Sequence, residues 1–335
     1  MSDSTASLSR KIDSAGDLQS VVRTMKALAA SSIGQYEKSV RALSDYDRTV
    51  QLGLAACFRG SRFATAVEGE SPKADAKAFG AIVFGSDQGL VGQFNESVAD
   101  FAISTLASLP GKPQVLVVGE RVQARLVDAG LAVVGVFGVP NSVKAIIPLV
   151  GQIQVESEAH RIKGSYSRVY LFHNRPRPGA LYEPVSQRLL PLDAQWQKGL
   201  AEVRWPTANL PEVVGGGTLT LRALVGEYLF ISLFRACAES LASENASRLT
   251  AMERADKNID ELLENLRSTF RRLRQSSIDE ELFDVVSGCE SLASERAKPL
   301  RRPDTERNEV SSVAIDHHTS PKPVSLPSGN ALPPH

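Results

Sequence analysis

The sequence is poor in the residues that mark secreted, metal-binding or nucleic-acid-binding chains. Among 335 residues there are three cysteines, five histidines and 6% aromatics, and Lys plus Arg equals Asp plus Glu at 38 each. Cys57, Cys237 and Cys289 are odd in number and far apart, with no CxxC or Cys/His spacing. That argues against a disulfide framework or a metal site and suits a reducing compartment. Balanced charge gives no overall pull toward nucleic acid or anionic lipid. No run approaches the roughly 18 apolar residues of a membrane span, and the N-terminal MSDSTASLSRK has no apolar core. Work at a membrane would run through partners, without direct insertion.

Proline is missing from two long stretches, Leu8 to Arg59 and Leu219 to Ala293. Counting in sevens from Leu8 lands on Leu8, Ala15, Val22, Ala29, Tyr36, Leu43, Val50 and Cys57, all apolar or amphipathic. A second seam drifts through Ile12, Leu18, Met25, Ile33, Val40 and Leu54, as an imperfect 3.5-residue repeat does. In the later stretch Leu249, Met252, Ile259, Leu263, Leu266, Phe270 and Leu273 step by three, four or seven. Each stretch is predicted as one helix, too long for a single globular core. The economical arrangement pairs the two helices antiparallel in a coiled coil with a core of Val22, Leu43, Leu249, Met252, Ile259, Leu266 and Phe270.

Between them the rhythm changes. Residues 61–77 turn to Gly, Pro, Ser and charge and read as a linker. Short β-branched runs at 79–86, 114–119, 131–138 and 167–174 then alternate with helical stretches near 95–109, 120–129 and 142–162. That alternation implies βαβ units in a mostly parallel sheet, with an edge strand or hairpin at 180–191. The expected fold is α plus α/β: a helix over 1–60, the linker, a Rossmann-like α/β domain over 78–212 inserted between the helices, and a second helix over 213–296. The Pro- and Ser-rich tail at 297–335 is expected to be disordered.

The most site-like string is GSDQGLVGQFN (85–95), between a strand and a helix, where open α/β sheets bind ligands. It could cradle a phosphate, although it matches neither GxGxxG nor the P-loop and places no lysine. Equally, its glycines could serve a tight turn, with Asn95 as helix N-cap. No GxSxG elbow occurs, and His160 and His173 are isolated, so no catalytic residue and no cofactor or metal ligand is assigned. The basic run Arg267, Arg271, Arg272 and Arg274 spreads over more than one helix face and is followed by Asp279, Glu280 and Glu281, which does not suit nucleic acid. These residues leave two readings open: a nucleotide-binding α/β enzyme or sensor with a coiled-coil dimerisation arm, and a self-associating coiled-coil scaffold.

Three separated segments together resemble the gamma subunit of F-type ATP synthases. VVRTMKALAASS (21–32) is similar to the family's N-terminal helix motif through Met25, Lys26, Ala29, Ala30 and Ser31. SDQGLVGQFN (86–95) resembles its α/β signature through Asp87, Gly89, Leu90, Gly92 and Asn95. The stretch 240–288 matches through Ser243, Glu244, Arg248, Ala251, Met252, Ala255, Asn258, Arg274, Gln275, Ile278, Glu281, Leu282 and Gly288. The resemblance implies a non-catalytic shaft inside a ring of alpha and beta subunits, with catalysis on beta, and an α/β foot resting with epsilon on the membrane rotor ring of c subunits. It implies ring contact and torque at Met25, Lys26, Arg274 and Gln275, regulation of ATPase activity, and a peripheral location on the cytoplasmic face of the inner membrane. Ser32, Gly34 and Gln35 stand where the family carries basic residues, and the chain runs beyond Leu292, which suggests a divergent branch such as an alternate sodium-coupled ATPase.

Overall fold

The computed structural model describes residues 4–59, 78–162, 168–192 and 217–296, with isolated positions between 196 and 209. The expected linker and the expected disordered tail lie outside the described residues. Residues 1–275 form one compact unit, and a second begins at Ser276.

The α/β part follows the expected alternation. Its elements are β1 (Ala78–Phe84), α3 (Phe94–Ala107), β2 (Lys112–Val118), α4 (Glu120–Asp128), β3 (Ala132–Phe137), α5 (Val143–Ile162), β4 (Val169–Arg177) and β5 (Ala180–Leu190). The strand order is β3-β2-β1-β4-β5. The first four strands run parallel, and β5 closes the edge as an antiparallel hairpin partner of β4. Because both faces are covered, β1 and β2 read as continuous apolar runs. Phe79, Ala81, Val83, Val115 and Val117 face Val98, Ala102 and Leu106 of α3 and Val122 and Leu126 of α4. Ile82, Phe84, Leu116 and Val118 face Ile146, Val150 and Ile153 of α5 and the apolar run Leu233–Ala242. Each large side chain fully buried here contributes about 1.5–3 kcal/mol.

Three helices frame the sheet: α1 (Thr5–Ala42), α2 (Ser44–Arg59) and the 80-residue α6 (Gly217–Arg296). Ser4 caps α1, its Oγ accepting from the Ser7 amide at 3.2 Å. The N-terminal stretch is not one helix, as the sequence predicts, but two, interrupted at Leu43. There the Leu43 amide reaches back to the Ser39 and Val40 carbonyls at 3.2 Å each, and the Ser44 hydroxyl donates to the Arg41 carbonyl at 2.7 Å. A serine competing for a helix carbonyl is a local cause for such a break.

The helices run antiparallel, since Tyr46 bonds Glu227 while Gln19 bonds Asp256 and Asp260. From its start, α6 packs against Val50, Leu54 and Cys57 of α2 through Leu221, Tyr228 and Ile231. It then covers the sheet, and finally meets Ala15 and Val22 of α1 through Met252, Ile259 and Leu263. An 18-residue window of α6 reaches a mean hydropathy of 1.3, long and apolar enough by composition to cross a membrane. In this fold Leu233, Phe234, Ala236, Cys237, Ala238, Leu241 and Ala242 bury that apolar character against the sheet. Of the residues expected in the helix–helix core, Val22, Met252 and Ile259 lie in the buried seam, while Leu249, Leu266 and Phe270 are half-buried. Leu43 sits at the helix break and packs instead on the cluster beneath the sheet.

Candidate functional site

The signature turn begins where β1 ends. Asn95 Oδ1 accepts from the Ser86 amide at 2.9 Å, and its Nδ2 donates to Ser86 Oγ at 2.8 Å. Asn95 is therefore not the N-cap of α3, whose cap position is held by Gln93 without a side-chain bond. It braces the strand end instead. Asp87 accepts from the Glu120 amide at 3.0 Å through Oδ1 and from the Val139 amide at 2.7 Å through Oδ2, tying together α4 and the exit of β3. Leu90 (φ 63°) and Gly92 (φ 57°) take the left-handed conformation that folds the turn back, and Leu90 is 62% exposed. Gly89 lies between them and Asp87 beside the Arg121 side chain.

A phosphate cradle needs free amides at such a turn and at the following helix N-terminus. Here the amides at the start of α4 are engaged within the chain. Ser86 N–H serves Asn95, Glu120 and Val139 N–H serve Asp87, and Arg121 N–H donates to the Ser86 carbonyl at 3.0 Å. The anion at the start of α4 is the chain's own carboxylate.

The crevice at the β1/β4 reversal of strand order is filled by α6. Asn174 Nδ2 donates to the Phe94 carbonyl at 2.9 Å, Ser243 Oγ donates to the Asn174 carbonyl at 3.1 Å, and Ser247 Oγ donates to the Val91 carbonyl. His173 Nε2 meets Glu239 Oε2 at 2.8 Å beside them. The turn thus docks the sheet onto the long helix.

Of the residues assigned to ring contact, Met25 packs half-buried against the Val22–Met252 seam. The Lys26 ammonium donates to Asp256 Oδ2 at 2.8 Å, within the chain. Arg23 Nε and Gln19 Nε2 reach Asp256 Oδ1 at 3.2 and 3.3 Å, and Lys26 above all, with Arg23, holds this carboxyl below its ordinary range. Arg274 and Gln275 are exposed on α6. Next to Met25, Leu18, Val21 and Leu28 leave 54%, 55% and 64% of their surface exposed, an apolar stripe flanking the buried one. In the second unit Ile278, Leu282, Phe283, Val285 and Val286 are exposed along one helical segment.

Residues 4–292 match a family described as ATP synthase. The chain is 25% identical over 288 residues to the ATP synthase gamma chain of Dechloromonas aromatica, covering 84% of this chain and 97% of the relative. It is 27% identical over 292 residues to that of Polaromonas naphthalenivorans, with the same coverage. The chain belongs to the ATP synthase gamma family. Its fold is also found in a chain of the Euglena gracilis mitochondrial ATP synthase assembly of OSCP, F1 and c-ring, at 15% identity and a TM-score of 0.59, over 90% of this chain and 99% of that one.

Gln19, Arg23 and Asp256 escaped the motif reading of this gamma-family chain. The spacing of Gln19, Arg23 and Lys26 on one helix face, opposite Asp256 and Asp260 four residues apart, was the available signal. Asn174 had none, because its role depends on where β4 ends against α6.

Proposed function

We propose that this chain is the central-stalk rotor subunit of an F-type ATP synthase, carrying no catalytic residue and turning within a ring of alpha and beta subunits whose beta members do the chemistry. The observation that carries the reading is the arrangement of helix α6. Its middle is bonded to the sheet through Ser243 and Ser247, while apolar Leu18, Val21 and Leu28 of the neighbouring α1 stay exposed beside the seam. An exposed apolar stripe on a long helix calls for a protein partner. Membership of the gamma family supplies which one, and relatives in solved assemblies of F1 and c-ring support it.

In this reading α1 and α6 form a coiled-coil shaft, and the α/β domain is the foot that meets epsilon and the c-ring. The chain is peripheral, on the cytoplasmic face of the membrane. Rotation presents different faces of the shaft to equivalent catalytic subunits, so coupling is a set of differential contacts. Met25, Arg274 and Gln275 are the contact residues for that torque; Lys26 shapes the same surface from its pair with Asp256. The amides of Ser86, Glu120 and Val139, taken by Asn95 and Asp87, favour this role over a nucleotide-binding enzyme or sensor.

The test is co-expression with the alpha, beta and epsilon subunits of the same organism. An assembled ATPase whose hydrolysis drives ion pumping, and whose Met25→Lys form hydrolyses ATP with diminished pumping, is the expected outcome. A chain that never enters such a complex would overturn the reading.

A further inference from the structure

Helix α1 carries two unlike flanks beside its buried seam. Between Ala15 and Ala29 that seam is small: Ala15 and Val22 pack on Met252, Ile259 and Leu263 of α6, and Ala29 continues the buried line. The larger apolar side chains lie off it. Leu18, Val21, Met25 and Leu28 follow at steps of three and four, so they form one ridge, and Leu18 lines an open groove with Leu262 and Leu266 of α6. Gln19, Arg23 and Lys26 share a different face. At about 100° per residue, the ridge is centred about 80° to one side of the seam and the polar face about 70° to the other.

Burial of apolar surface is non-directional, so it gives no reason to hold Leu18, Val21 and Leu28 outside while Ala15 and Ala29 go in. A roll of α1 toward its ridge would put the larger side chains into the seam. The polar flank opposes that roll. The Asp256 side chain, 12% exposed, accepts from Lys26 Nζ at 2.8 Å, Arg23 Nε at 3.2 Å and Gln19 Nε2 at 3.3 Å. Gln19 Nε2 also donates to Asp260 Oδ1 at 2.5 Å. Such bonds weaken steeply with distance and angle, and a roll toward the ridge carries all three donors away from α6. We propose that Asp256, backed by Asp260, is a positioning residue for the partner-facing surface of the shaft. It holds the rotation of α1 about its own axis, so that the Leu18–Val21–Met25–Leu28 ridge is presented outward. Asp256 lies across the seam from that ridge and acts on it through α1. That the partner is a ring of alpha and beta subunits rests on the rotor reading above; the rotation does not.

Neighbouring cysteines read this rotation in the full chain without other subunits. A Cys289→Ser background leaves only Cys57 and Cys237, both 1% exposed. Val21 is 55% exposed and Val22 6%, so maleimide should label the Val21→Cys protein quickly and the Val22→Cys protein slowly. Adding Asp256→Ala with Asp260→Ala should slow the first and speed the second, each by about three- to tenfold, because each rate follows the fraction of molecules in the reactive rotation. Asp256→Glu, which keeps the charged acceptor, should leave both rates near those of the background. Gln19→Ala, Arg23→Ala and Lys26→Ala together release the same bonds from the α1 side; they should give the same reciprocal change and carry the test if the α6 variant does not fold. Two rates that rise together would mean that the bonds only hold the helices together, and two unchanged rates that apolar packing sets the rotation. Either result overturns the proposal, and neither bears on the rotor reading.

Discussion

Lys26 and Asp256 join α1 to α6 by an ion pair of 2.8 Å, one residue along from Met25 and beside the apolar packing of Val22 on Met252. The pair belongs to a polar band, because Gln19 and Arg23 converge on the same carboxylate. A polar band inside an apolar seam fixes the register of paired helices. The Asp256 carboxyl is held below its ordinary value of 3.8, chiefly by Lys26. A lowered folded-state pKa contributes stability above the unfolded pKa, which is lost as pH falls through the folded one. Thermal melts from neutral pH to below about pH 4 should show wild-type losing more stability than Asp256→Asn over the acid limb. Parallel acid limbs would mean the pair is a surface contact without weight.

The seam itself predicts unequal costs along α6. Met252 is 2% exposed within the α1 contact, whereas Leu266 is half-buried at the edge of a groove lined by Arg10, Lys11 and Leu18. Met252→Ala should cost about 2–5 kcal/mol and Leu266→Ala clearly less, read by denaturant unfolding of the full chain. Equal losses would show that the helices stay tightly packed through Leu266.

Much of this was legible in the sequence, for a physical reason. The sevenfold series from Leu8 is the buried face: Leu8, Ala15, Val22, Ala29, Tyr36, Val50 and Cys57 are all buried, because one helix face repeated against a partner must be apolar. Strands alternating with helices likewise announce a doubly covered sheet. The break at Leu43 was hidden, since Ser44 disturbs the ladder through one side-chain bond that no periodicity reports. The turn motif showed where a functional string lies but not that its Asp87 takes the Glu120 and Val139 amides, because those come from other loops.

That turn is predicted to be intolerant in two separate ways. Gly119 has φ 112°, and a Cβ there would lie 2.8 Å from the backbone N and O of Ser86. Gly119→Ala therefore combines strain with a backbone clash and should unfold or strongly destabilise the α/β domain. Asp87→Ala leaves the Glu120 and Val139 amides without their acceptor, at about 1–3 kcal/mol. Circular dichroism melts separate the two: a Gly119→Ala protein as stable as wild-type would contradict the close approach of the two loops.

The exposed stripe on α1 gives the prediction that bears most directly on the proposed role. Val21 and Leu28 lie 55% and 64% exposed, so they add little to folding, and exposed substitutions usually change stability by within about 0.5 kcal/mol. If these side chains are covered by surrounding subunits, a charge introduced there must be desolvated on assembly. Val21→Glu and Leu28→Glu should accordingly leave the Tm of the isolated chain nearly unchanged while lowering the yield of complex with alpha and beta subunits, or its coupled pumping. The comparison distinguishes a partner surface from a folding surface, because Val22, the next residue along, is 6% exposed and faces the seam. Val22→Glu should lower Tm before any partner is present. Normal assembly and pumping in the Leu28→Glu complex, with Tm retained, would place the ring contact on another face of the helix.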